Sequence, residues 1–144
     1  MKYIFLFITL FLSYNSFSQI TSSENIIPFD LVDEIPLSKD CKPKWKNEKL
    51  KKCVVKGINM HIMKTYNTDL AGTLGLTGRI KITNTFIINK KGEIVNINAT
   101  SPHEELTKEA IRVMGLLPKM IPGKHNGKHV SVEYKFPIIF QTQD

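Results

Sequence analysis

The sequence predicts an α+β domain: a small antiparallel three-stranded sheet with two helices packed on one face, in the chain order helix, hairpin, helix, strand. Three observations carry this. Apolar residues recur at helical spacing in two stretches, they alternate at every second position in three others, and Asn- and Gly-containing turns punctuate the alternating stretches. With 144 residues, 42% hydrophobic and 23% charged, the chain is expected to form one domain able to bury a core, with no second, independent catalytic domain expected within it.

The first helix is expected from about Asn47 to Thr65, where Leu50, Val54, Ile58 and Ile62 recur every four residues, with Cys53 and Val55 alongside. Gly57 weakens it by about 1 kcal/mol relative to Ala. The run from Ala71 to Gly78 holds three glycines and reads as a connector rather than an element. Beyond it, Ile80, Ile82, Phe86 and Ile88 alternate with Arg79, Lys81, Thr83, Thr85 and Ile87, a strand with one buried face. Asn89-Lys90-Lys91-Gly92 is a turn, and Glu93 to Thr100 returns as the second strand of a hairpin with Val95, Ile97 and Ala99 facing inward. Ser101-Pro102-His103-Glu104 has the form of a helix start, with a serine cap, proline at the first helical position and glutamate completing a capping box. Leu106, Ala110, Val113, Met114 and Leu117 make that helix's stripe, and Pro118 stops it. Asn126-Gly127 is a hairpin-turn dipeptide. Val130, Val132, Tyr134, Phe136, Ile138 and Phe140 then define the last strand, which is expected beside the first hairpin strand and antiparallel to it. Pro137 cannot donate to a ladder, so this strand belongs at an edge, at least toward its C-terminal end.

The two ends of the chain differ in kind. Met1-Lys2, the apolar run from Tyr3 to Leu12 and the small residues of Ser16-Phe17-Ser18 form a secretory signal over residues 1–18, with cleavage before Gln19. The apolar run is short of the ~20 residues that span a bilayer. The mature protein is accordingly expected in the periplasm or secreted, and at the inner membrane if the signal stays uncleaved. Residues 19–40 read as an extended leader that packs or pairs opportunistically, and residues 41–144 as the domain. Export also sets the reading of Cys41 and Cys53, the only cysteines: in an oxidising compartment such a pair closes into a structural disulfide, and its spacing fits neither a redox C-x-x-C motif nor a four-ligand zinc site.

The formal net charge is +7, and eight lysines lie between Lys39 and Lys56 against Asp40 and Glu48. Such a block is a solvated face or an attraction to anionic envelope material, including a membrane surface. Nucleic acid is disfavoured, because export removes the chain from it and only Trp45 offers a stacking ring in the block. His125 and His129 are separated by a turn and lack further ligands, His61 and His103 read as surface or cap-adjacent, and no nucleophile, phosphate-loop or dinucleotide motif occurs. No metal, cofactor or enzymatic activity is expected.

The run Gly78-x-Ile80…Phe86-x-Ile88-x-x-x-Gly92-Glu93-Ile94-Val95, then Leu106-x-x-Glu109-Ala110, Leu117-Pro118-Lys119…Pro122-Gly123-Lys124…Gly127-Lys128-x-Val130 and Tyr134-x-x-Pro137-Ile138-x-Phe140, resembles the TonB C-terminal domain. It is similar in particular to the short versions in exported Bacteroidota proteins. The resemblance implies a periplasmic binding module associated with TonB-dependent transport, whose partner is the TonB box, a peptide segment of an outer-membrane transporter, captured by strand addition. A full transducer also carries a lasting transmembrane helix and a long Pro-rich spacer, which this sequence is not expected to supply. The residues assigned to capture are Val130, Ser131, Val132, Glu133, Tyr134 and Lys135, on an edge whose outward side chains are Ser131, Glu133 and Lys135. The leader or a second copy pairing edge to edge would cover the same groups. The reading from another class is an envelope-associated structural protein that has lost energy transduction and binds anionic material through its lysine-rich face.

Overall fold

The computed structural model describes residues 25–142, and the signal-peptide reading of residues 1–18 lies outside them. The elements in chain order are β1 (Ile26–Pro28), α1 (Asn47–Thr65), α2 (Leu70–Thr73), β2 (Gly78–Ile88), β3 (Ile94–Thr100), α3 (Glu104–Gly115), β4 (Lys124–His125), β5 (Lys128–His129) and β6 (Ser131–Thr142). The expected antiparallel trio is present as β6-β2-β3, and β1 extends it by parallel pairing to β6, so the sheet has four strands in the order β1-β6-β2-β3.

β2 is the central strand because its inward set is apolar on nearly every alternate residue: Ile80, Ile82, Phe86 and Ile88 are buried. The fifth inward position is Asn84, fully buried, whose Nδ2 donates to the Phe136 carbonyl at 3.2 Å. β3 departs from the expected alternation. Thr85 pairs with Asn98 but Ile87 with Val95, so β3 carries an extra residue there, and Asn96 takes φ 50°. This bulge shifts the pleat by one residue: Ile94, Ile97 and Ala99 pack on the core, while Val95 sits opposite Ile87 on the other face. The inward assignment of Val95 is thereby corrected.

α3 covers β3 and β2 with Leu106, Ala110, Val113 and Met114, all fully buried, and α1 packs beside it through Val54, Ile58 and Ile62. Gly57 has a packing reason, since a Cβ there would lie 3.0 Å from Ser38 Oγ. Two local expectations are corrected. The connector after α1 contains a short helix, α2, with Ala71 buried. α3 starts at Glu104 rather than after a serine cap, because His103 is extended (φ −137°, ψ 133°) and the Ser101 hydroxyl is used locally, donating to the His103 carbonyl at 2.6 Å and lying 2.9 Å from Thr107 Oγ1.

The leader is woven into the fold. Phe29, Val32, Ile35 and Leu37 are buried, Glu34 and Lys124 exchange two backbone hydrogen bonds of 2.9 Å, and Leu37 and Ile121 exchange two more. Asn126 and Gly127 both take positive φ, the conformation of a type I′ turn, and close the β4–β5 hairpin. Cys41 and Cys53 are joined as a disulfide that ties the segment just after the leader to α1. Among the described residues no helix is long and apolar enough to cross a membrane.

Candidate peptide-binding edge

Among the described residues β6 is the longest strand, and from Val132 onward it pairs with β2, from Val132↔Ile88 to Thr142↔Gly78. Side chains and backbone groups both alternate along a strand, so one parity faces β2 and the other faces outward. The Glu133 carbonyl marks the outward parity, since it accepts from the Phe29 N–H at 2.9 Å on the β1 side. Ser131, Glu133, Lys135, Pro137, Ile139 and Gln141 therefore present their backbone groups away from β2. Pro137 falls in this set, where its missing donor costs no ladder bond.

The outer side expected to be bare is divided in two. Over Ser131, Val132 and Glu133 it is occupied by Ile26, Ile27 and Pro28 of β1. From Lys135 to Gln141 no strand pairs with it among the described residues, and the exposed Ile139 side chain (47%) flanks that stretch.

The assigned residues occupy distinct environments. Val130 precedes the strand and donates its N–H to the Gly123 carbonyl at 3.1 Å. Val132 is fully buried. Tyr134 is buried in an aromatic cluster, its ring centroid 4.1 Å from Phe29, 5.5 Å from Phe86 and 5.9 Å from Phe136. Burial, and secondarily the negative charge of Asp30, push the Tyr134 phenol up to about 12, so it stays neutral. Glu133 is half-buried and Lys135 exposed, as an outward position requires. Ser131 is not an outward side chain: it is fully buried, and its hydroxyl has no hydrogen-bond partner. The strand-forming potential of Ile26-Ile27 is the one signal that could have located the covering segment, but three residues carry no period by which to assign it.

The histidines stand apart from this edge. His61 Nε2 lies 2.8 Å from the Val113 carbonyl, bridging α1 to α3, and His125 Nδ1 lies 3.2 Å from Asp33 Oδ2. No group of three metal-ligating side chains exists among the described residues. Of the lysine block, Lys51 pairs with Asp30 at 3.4 Å and Lys49 lies 4.2 Å from the Trp45 ring centroid.

Among the described residues, the longest strand of this α+β domain leaves the stretch from Lys135 to Gln141 unpaired on one side. Residues 69–142, just over half of the chain, match the family model described as Gram-negative bacterial TonB protein C-terminal, and the chain belongs to that family. The membership associates it with TonB-dependent transport at the cell envelope, where such domains interact with outer-membrane transporters. Among solved structures, the NMR solution structure of the Helicobacter pylori TonB C-terminal domain is similar, with 22% identity, 71% of this chain and 88% of that chain covered, and a TM-score of 0.44. No curated protein matches the sequence.

Proposed function

We propose that this domain captures an extended peptide, the TonB box of an outer-membrane transporter, by adding it as a further strand along the outer side of β6. The observation that supports this reading is the half-edge from Lys135 to Gln141, which no strand covers among the described residues and which is continuous with the assigned residues Val130 to Lys135. Main-chain hydrogen bonds would supply affinity, and Glu133 and Lys135 would supply selectivity. The work is binding, and no residue is asked to do covalent chemistry.

Proline substitution at outward positions tests this directly, because Pro137 already shows that the edge tolerates the ring. Lys135→Pro and Ile139→Pro each remove one outward donor and leave the β2 ladder intact. Calorimetric titration with a peptide covering the TonB box of a transporter from the same organism should show several-fold weaker binding for each, at a loss of about 1 kcal/mol per bond. Circular dichroism should be unchanged. Wild-type affinity in both variants would place the site elsewhere, and loss of a dimer in the same variants would assign the edge to a second copy.

The reading also includes export: the mature chain begins at Gln19, which N-terminal mass spectrometry of protein from a Gram-negative host would register. Recovery of the intact Met1 form in membranes would instead indicate an anchor. A second reading draws on α1, whose outer face carries Lys49, Lys52 and Lys56 followed by the exposed Met60 and Met63. If that face holds the protein on anionic envelope material, high salt will release it from envelope fractions, and Lys52→Glu with Lys56→Glu will do so without salt.

A further inference from the structure

The capture edge carries its own occupant. Resting on the strand-capture reading above, we propose that β1 is a displaceable gate: Ile26–Pro28 pairs with the first three residues of β6, Ser131 to Glu133, and must peel away, about a hinge at Phe29, before a guest strand can use the edge beyond Lys135 toward Ser131.

The boundary between a fixed and a movable part falls within the leader. Phe29, Val32, Ile35 and Leu37 are buried, and the backbone bonds of Glu34 and Leu37 to Lys124 and Ile121 fasten that part to the domain. Before Phe29 the anchoring thins among the described residues: Ile26 is 44% exposed, Pro28 is exposed, and only Ile27, half-buried, packs on the core, so the three residues are held by their pairing to β6 and that one side chain. Segments with few buried contacts open locally at a fraction of the global cost.

The sequence of β1 suits an occupant that closes an edge rather than extending it. Phe29 N–H points to β6, and Ile27 shares its parity, so Ile27 presents its donor and acceptor to β6 while Pro28 falls on the far side. The missing N–H of Pro28 therefore costs no bond to β6 and leaves the outer side of β1 short of a donor, which discourages any further strand. After Phe29 the chain leaves at once: the Leu31 N–H donates to the Pro28 carbonyl at 2.9 Å, closing a turn. β1 thus covers Ser131 to Glu133 and leaves Lys135 onward open as the place where a guest strand first engages.

Competition sets the expected size of the effect. If β1 is paired nine-tenths of the time, affinity for a guest needing the full edge falls about tenfold below that of the open edge.

The test uses the full mature chain and a fluorescent peptide of its own sequence from Asn25 to Asp30, which probes edge access without any transporter. Ile27→Pro removes the donor that faces β6. Anisotropy titration should show at least about tenfold tighter peptide binding to this variant than to wild type. Equal binding to both, or to neither, overturns the gate. Hydrogen exchange of the wild-type protein gives a readout that needs no variant: the Glu133 amide, which faces β1, should exchange far faster than the Tyr134 amide, which faces β2. Equal protection would mean that β1 opens only with the whole domain, and the gate falls. A transporter peptide that binds wild type and Ile27→Pro equally refutes the gate while leaving capture intact. A gate seen by exchange and by the self-peptide, with no transporter peptide bound by either protein, refutes capture alone.

Discussion

Gly92 and Met120 are locked together: the Met120 N–H donates to the Gly92 carbonyl at 2.8 Å, and a Cβ on Gly92 would collide with the Met120 carbonyl oxygen. The β2–β3 turn thereby buttresses the segment that leads to β4. Gly92 also has φ +81°, so two independent demands exclude a side chain. Gly92→Ala should cost about 3 kcal/mol or more in urea denaturation. Gly127, at φ +73° with open space where a methyl group would stand, is the control: Gly127→Ala should cost only about 1 kcal/mol. Equal losses at the two sites would remove the contact argument.

The Cys41–Cys53 disulfide closes a loop of twelve positions and fastens the segment just after the leader to the first half of α1. Cys53→Ala should lower stability by about 3 kcal/mol, chiefly by freeing the unfolded chain, and should leave the β6 edge and its peptide affinity unchanged. Paired denaturation and binding measurements check both halves, and a fall in affinity in the folded variant would show that the bridge shapes the site.

Tyr66 is buried against Phe140, with ring centroids 5.6 Å apart, yet its hydroxyl has no hydrogen-bond partner. Burial, and then the nearby Glu109 charge, raise its phenol from an ordinary 10.0 to about 12. Removing an unsatisfied buried hydroxyl is neutral or favourable, so Tyr66→Phe should change stability at neutral pH by less than about 1 kcal/mol, with a gain as the expected sign. The raised value means that ionising Tyr66 is harder in the folded state, so relative to strongly alkaline pH it contributes stability that is present in full below pH 10 and lost as pH rises through about 12. Tyr66→Phe should therefore lose less stability than wild type over that window, a difference read from melting temperatures.

Regular periods made the scaffold legible before its structure. Leu50, Val54, Ile58 and Ile62 placed α1, and six alternating residues from Val130 to Phe140 placed β6 beside β2 in the antiparallel sense. Features set by one residue were not legible. The extra residue at Asn96 turns Val95 to the other face, and the extended His103 delays α3 past Ser101. The candidate edge was readable as a strand, but its covering was not, because three residues carry no period and their partner lies at the far end of the chain. The open choice between the leader and a second copy was one of nonlocal pairing, which local pattern cannot resolve. Ser131 failed for the related reason that alternation gives the side of a strand and not what packs against that side.

Glu109 joins the two long helices through a cation. Arg112 donates to both its carboxylate oxygens at 2.7 Å and also to the Thr65 carbonyl at 2.7 Å, while the Asn67 N–H donates to Glu109 Oε1 at 2.8 Å. The hydrogen bonds from Arg112, aided by that of Asn67 and opposed by burial, hold the Glu109 carboxyl below its ordinary value of 4.5. A depressed carboxyl favours the folded state above the unfolded value and loses that contribution as pH falls through the folded one. The Glu109 side chain is only 11% exposed but Arg112 is 50% exposed, so solvent screens the pair and the loss in Glu109→Gln at neutral pH should be about 1 kcal/mol. Glu93 and Glu104 are depressed as well, so acid destabilisation of the wild type alone does not isolate Glu109. The difference between wild type and Glu109→Gln does: the stability gap should be constant above the ordinary carboxyl range and should close as pH falls below it. Melting temperatures of both proteins from neutral pH to about pH 2 measure this gap, and one that persists undiminished at the acid end would show that the charge of Glu109 does not hold α3 to the end of α1.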